Sequence, residues 1–204
     1  IEEGKNIALI SDAGTPVISD PGEFIVKEAI EREIEVIPIP GACAIITALM
    51  AAGVNTRNFT FYGFLSLNKK IRTKELEQIK DNNNTVILYE APHKIKNTMQ
   101  DLENYVDDRK IVIARELTKI HEEFIRGTID EIKDKLQNPK GEYVIIIDKN
   151  ENINENEENK LRELSIEEHY KYYEKMGLEK KEIIKKIAKD RQVAKNEIYK
   201  QFIN

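Results

Sequence analysis

At 204 residues the chain suits one or two domains and is long enough to bury a real core. Charged residues make up 34%, the formal net charge is −5 and tryptophan is absent, which excludes an overall polybasic footprint and leaves any nucleic-acid contact to local patches. The single Cys43 excludes an intramolecular disulfide and a cysteine-built zinc site, and it fits a reducing cytoplasm.

The longest apolar run, Ala42–Ala52 with one threonine, is too short to span a bilayer, so no membrane partner is expected. The chain begins with Ile1 and shows no secretory leader, which reads as a piece of a longer cytoplasmic protein.

In chain order, Ile7–Ile10 is a short apolar run of the kind buried on both faces in a parallel sheet, and the spacing predicts a strand over 6–12. Ser11-Asp12-Ala13-Gly14-Thr15-Pro16 then packs small and turn-forming residues together. Gly14 allows close backbone approach, and Pro16 turns Thr15 away from helix. Asp20-Pro21-Gly22 opens a predicted helix over 21–33, with Asp20 as N-cap, Pro21 at the first position, and Phe24, Ile25, Ala29 and Ile30 on one face. A strand ending in a small-residue loop is where open α/β sheets place ligands. A tight strand-to-helix connection without a ligand explains the same residues equally well, since no GxGxxG is present.

Glu35–Ile39 reads as a second buried strand, and Gly41 leads into a helix over Ala42–Ala52 that is apolar all round. The first backbone N–H groups of that helix lack internal partners and point toward whatever lies above the strand ends, although packing alone accounts for such a helix too. Phe59–Phe64, Thr85–Tyr89 and Lys110–Ala114 read as strands, separated by helices over Asn68–Lys80 and from Pro92 to Tyr105. Lys69-Lys70-Ile71-Arg72 is a solvated face or a phosphate contact.

Arg115–Glu123, RELTKIHEE, is the most chemically loaded stretch, and a polar loop would also explain it. Thr128 caps a helix with Glu131 at the capping-box position, and Glu142–Ile147 reads as a central strand. Asn150–Asn159 is an acidic, Asn-rich linker. Beyond it Leu161–Asn204 reads as three short helices with a helix-turn-helix-like turn at 190–192, in a tail holding twelve Lys/Arg against eight Asp/Glu from Lys160 onward.

Four motifs occur in one order: SDAGTPVISDPG, VIPIPGACAIITALMAAG, YEAPHK and RELTKIHEEFIRGT. This series resembles the ribosomal RNA small subunit methyltransferase I family, within the tetrapyrrole-methylase-like class of S-adenosylmethionine (SAM) enzymes, from Lys5 to about Asp148. The resemblance implies an α/β, two-domain tetrapyrrole-methylase-like fold. Residues 1–57 would be the C-terminal part of a first domain with an incomplete parallel sheet, 58–149 a mixed-sheet second domain, 150–159 the linker and 160–204 a small helical domain. It implies transfer of the SAM methyl group to the ribose 2′-oxygen of a cytidine in the decoding region of small-subunit rRNA, with no metal, by a homodimer.

For SAM binding the resemblance points to Asp12, Ala13, Gly14, Thr15, Pro16, Ile18, Cys43, Ala44, Tyr89, Glu90, Ala91 and Gly127. For chemistry it points to Glu116, Lys119, His121, Glu122 and Glu90, as base or as rRNA-positioning groups.

The family's N-terminal segment, whose glycine-containing loop contributes to the SAM site, has no counterpart here. In the family's first sheet, of order 3-2-4-1-5, the strands matching Ile7–Ser11 and Glu35–Ile39 flank the first strand. They are therefore expected roughly 10 Å apart and not hydrogen-bonded to each other. Two rivals remain at the level of sequence: another enzyme of the class acting on a tetrapyrrole or a modified histidine, and a non-catalytic rRNA-binding or dimerisation module.

Overall fold

The computed structural model describes residues 1, 3–136, 139–150, 161 and 164–202. The chain divides into two compact units, Ile1–Lys149 and Asn150–Asn204. The expected linker falls, but for Asn150, outside the described residues. Among those described, no helix is long and apolar enough to cross a membrane.

The first unit contains α1 (Glu23–Glu31), α2 (Ala44–Ala52), β1 (Phe59–Phe64), α3 (Lys69–Lys80), β2 (Thr85–Glu90), α4 (Ile95–Leu102), β3 (Ile111–Arg115), β4 (Glu123–Gly127), α5 (Ile129–Lys135) and β5 (Tyr143–Ile147). The strands form one sheet of order β1-β2-β5-β3-β4. β1 and β2 run parallel, and the other pairs are antiparallel. β5 lies at the centre, as its unbroken apolar sequence requires of a strand covered on both faces. On one face Leu76, Ile79, Ile95, Met99, Leu102 and Ile132 of the helices pack on Val86, Leu88, Ile113 and Ile145. On the other, Ile45, Ala48, Leu49 and Ala52 of α2 pack on Ile87, Val112, Val144 and Ile146. The side-chain period of two sends successive strand residues to opposite cores.

One buried cation closes one end of this sheet. Arg109 donates to the carbonyls of Asp148 (2.7 Å), Ile79 (3.0 Å) and Asn84 (3.3 Å), and burial pulls its pKa down. Asn68 caps α3, its side chain accepting from Lys70 and Ile71 N–H. Glu131 completes the expected capping box by accepting from Thr128 N–H at 3.0 Å.

The first 43 residues depart from expectation. Ile7–Ser11 and Glu35–Ile39 are extended but form no strands; as expected, no backbone hydrogen bond among the described residues joins the two. They are also not buried: Ile10 is 83% and Ile39 77% exposed. A strand exists only through a neighbour's N–H and C=O groups, and among the described residues none pairs with these segments. The predicted apolar face of α1 is likewise open, with Phe24 75% exposed and no buried residue in the helix. α1 starts two residues later than Pro21, and Gly22, at φ 136°, rather than Asp20 is its N-cap. α2, apolar all round, buries one side only, and Met50 is 79% exposed on the other.

The second unit holds α6 (Ile166–Lys175), α7 (Lys180–Asp190) and α8 (Lys195–Lys200) around Tyr173, Ile183, Ile184, Ile187 and Ile198. Gly177, at φ 79°, ends α6, as the sequence indicates. A polar knot lies in this core. The Tyr173 hydroxyl donates to Asp190 Oδ2 at 2.6 Å, and His169 Nε2 lies 3.2 Å from the same oxygen. Arg191 Nε donates to His169 Nδ1 at 3.3 Å, so the ring proton belongs on Nε2, and Arg191 also donates to the Leu164 carbonyl. Fully buried His169 is held neutral: burial lowers its pKa and Arg191 adds to this, against the pull of Asp190.

Candidate active site

Strand register decides which loops meet. Phe64 of β1 lies beside Tyr89 of β2, Glu90 beside Tyr143 of β5, and Tyr143 beside Arg115 of β3, which pairs with Glu123 of β4. The YEAP strand end and the RELTKIHEE hairpin loop therefore leave the same end of the sheet, two strands apart.

The two N-terminal motifs are joined through one carbonyl. Ala42 O accepts from the Thr15 backbone N–H at 2.8 Å and from the Thr15 hydroxyl at 3.0 Å. Gly14 adopts φ 79°, and a Cβ built there would stand 2.7 Å from the same oxygen. The Asp12–Pro16 loop thus fits against the Gly41–Cys43 turn only because position 14 lacks a side chain. Ser11 ties the loop to itself by donating to Gly14 O at 3.2 Å.

Val17 and Ser19, at φ 77° and 60°, lie in the left-handed region that non-glycine residues avoid. Such residues cost on the order of 1–3 kcal/mol each and cluster at functional sites. No residue type announced either.

Tyr89 closes the corner. Its ring packs edge-on against Phe61 at 4.9 Å and tilted against Phe64 at 5.7 Å. Burial pushes its phenol up to about 12, nearby Cys43 adds to this, and the Ile45 backbone amide opposes it. At neutral pH the hydroxyl is therefore protonated and lies beside the start of α2. Weaker influences of Asp20 and Glu142 on the same phenol tie it to the loop after Pro16 and to the segment under the hairpin loop. Phe61, Gly63 and Phe64 belong to this corner and escaped the sequence reading. The register irregularity between Phe61 and Gly63 brings β1 beside Ser19, whose hydroxyl would lie 3.6 Å from a Cβ at position 63.

Glu90 takes the opposite face. By the alternation along β2 it points with Val86 and Leu88 away from Tyr89, is buried, and accepts from the Thr98 hydroxyl at 2.5 Å and the Ala91 N–H at 2.8 Å. Arg72 donates to that hydroxyl at 2.9 Å and pairs with Asp101 at 2.7 Å. Gly127 lies at the far end of β4, over the Glu131 capping box.

In the hairpin loop, Glu116 and Thr118 adopt φ 51° and 65°. The Glu116 carboxylate accepts from Lys119 Nζ at 3.0 Å and from the Glu142 N–H at 3.2 Å. The hydrogen bond from Lys119 holds its pKa low, and reciprocally Glu116 raises that of Lys119. Glu122 accepts from the Thr118 N–H at 2.7 Å, and Arg115 pairs with Glu123 at 2.5 Å. His121 is exposed, and Ile120 stands 98% exposed at the tip. The two loops hold four of the seven non-glycine positive-φ residues found among the described residues, so backbone strain concentrates where the motifs meet.

Residues 1–133 match the tetrapyrrole (corrin/porphyrin) methylase family. The chain is 45% identical over 205 residues to ribosomal RNA small subunit methyltransferase I of Bacillus subtilis, covering 98% of this chain and 69% of that protein. Its counterpart of the same name in Halalkalibacterium halodurans is 46% identical over 199 residues, with 97% and 69% covered. Among solved structures, the methyltransferase CobJ superposes with a TM-score of 0.56 at 19% identity, over 72% of this chain and 66% of that one, a likeness of fold. Motif order, sheet topology and these matches agree: the chain belongs to the tetrapyrrole methylase family, in the branch of the ribosomal RNA small subunit methyltransferase I proteins.

Proposed function

We propose that this chain belongs to a methyltransferase that places a methyl group on the ribose 2′-oxygen of a cytidine in the decoding region of small-subunit rRNA, with SAM as donor. The observation that carries this reading is the gathering of the Asp12–Pro16 loop, the α2 start, Tyr89 and the RELTKIHEE loop around one end of one sheet. The names of the curated relatives supply the substrate class.

The corner fits an adenosyl ligand: positions 14, 41 and 44 carry no side chain beyond Cβ, a protonated tyrosine hydroxyl faces it, and Phe64 offers an exposed ring. Asp12, Ala13, Gly14, Thr15, Pro16, Ile18, Cys43, Ala44, Tyr89 and Ala91 would hold the donor, which supplies an electrophilic methyl and leaves as S-adenosylhomocysteine.

The residues of the chain then have two tasks. Holding donor and ribose in line contributes roughly 7–11 kcal/mol to lowering the barrier. Taking the hydroxyl proton adds about 10²–10⁴-fold. Glu116, stabilised as a carboxylate by Lys119, is a weak base and serves to fix the lysine, whose charge faces an anionic substrate. Proton removal falls to His121 or Glu122 of the same loop. Glu90, turned to the opposite core, supports the strand end through Thr98.

The test is methyl transfer to undermethylated small ribosomal subunits by the natural polypeptide. Lys119→Ala and Glu116→Ala are each expected to lower the rate by about 10²-fold with SAM affinity near normal. Activity surviving both changes would take Lys119 and Glu116 out of the reaction.

A further inference from the structure

The second unit presents a basic surface of its own. In α7, Ile183, Ile184, Ile187 and Ala188 are buried, and Lys181, Lys185 and Lys189 recur four residues apart on the exposed side. Their neighbour Lys186 is engaged, its ammonium 4.9 Å from the centre of the Tyr173 ring. The three in the row are not: among the described residues none has an ion-pair or hydrogen-bond partner. Asp190 at the end of the helix is turned inward to His169 and Tyr173. Like charges at i,i+4 destabilise a helix by about 0.2–0.5 kcal/mol per pair, so the row works against the stability of its own helix.

Charge is segregated along the chain as well. From Lys160 onward there are twelve Lys/Arg against eight Asp/Glu, which leaves twenty against twenty-nine before it. The stretch from Lys160 onward is thus positive, although the whole unit Asn150–Asn204 balances twelve Lys/Arg with twelve Asp/Glu.

We propose that the Lys181–Lys185–Lys189 row is a contact for the phosphate backbone of structured RNA. Eight residues of helix place the three ammonium groups along about 12 Å, one every ~6 Å. A nucleic-acid duplex, with a charge about every 1.7 Å of axis, offers several phosphates to that length. Lysine is a point charge without the planar fork that arginine brings to base edges, so such a row positions RNA without reading its sequence. The proposal does not rest on the catalytic assignment, and methyl transfer is not its readout.

The probe is a 20-base-pair hairpin RNA titrated with the whole chain by fluorescence anisotropy between 50 and 300 mM salt. Replacing the row together, Lys181→Gln, Lys185→Gln and Lys189→Gln, is expected to make the log K–log[salt] slope shallower by about 2–3 and to weaken binding at 100 mM salt by about 10²-fold. The corresponding triple arginine variant is expected to retain both, and circular dichroism checks that the glutamine variant is folded. An unchanged slope in the folded glutamine variant overturns the proposal, as does poly-glutamate competing as well as an equal charge of RNA.

Discussion

The Ala42 carbonyl has two hydrogen-bond donors from Thr15 and no room for a side chain at position 14, so a single oxygen sets the spacing of the loop and turn beside the proposed donor site. Enlarging a neighbour tests that corner. Ala44, the first residue of α2, is exposed, so Ala44→Phe has space on the solvent side and is expected to cost little stability while weakening SAM binding more than tenfold. Calorimetry on the natural polypeptide measures it, and unchanged affinity moves the adenosyl site elsewhere.

Residue types marked this corner partially. Gly14, Cys43, Ala44 and Tyr89 lie within motifs, and the structure brings them together. The direction of Glu90 depends on whether it shares a face with Leu88 or with Tyr89, and strand alternation assigns it to Leu88. Val17 and Ser19 carry backbone conformations that their side chains do not announce, and Phe61 and Phe64 read as ordinary strand aromatics until the register brings Tyr89 between them.

At the scale of elements, β1, β2, β3 and β5 were legible because each carries its own apolar pattern, and β5 read as central because it lacks a polar face. Ile7–Ser11 and Glu35–Ile39 carry the same pattern, yet pairing belongs to the neighbour as much as to the strand, and neighbours cannot be read from a segment alone. This difference has a measurable form. Amides of residues 7–11 and 35–39 are expected to exchange with solvent within seconds, while those of β2, β3 and β5 are protected to the level of global unfolding. Hydrogen exchange of this chain measures both sets together. Strong protection of 7–11 and 35–39 would show that they acquire a partner in solution, as exposed edges are prone to do.

The two units differ in charge balance, Ile1–Lys149 holding twenty Lys/Arg against twenty-five Asp/Glu and Asn150–Asn204 twelve of each, and they are expected to respond differently to acid. His169 is buried neutral in the second unit, with a folded-state pKa below its unfolded value. Its contribution is therefore complete above the unfolded pKa of about 6.5 and declines as pH falls below it, because the unfolded chain takes up the proton first. Urea midpoints followed by the NMR signals of Tyr173 and Ile187 are expected to fall between pH 7 and 5, and His169→Gln to flatten that slope. Midpoints independent of pH in the parent would mean that the ring protonates in place.

The sheet, finally, is a molecule with a front and a back. The YEAP and RELTKIHEE loops leave from the end that holds Phe64, Tyr89 and Arg115, whereas the turn before Thr85 leaves from the end clamped by Arg109. Asn83, exposed in that turn, is thus a natural handle. A dye, an affinity tag or a surface anchored there leaves the end with the YEAP and RELTKIHEE loops facing solution.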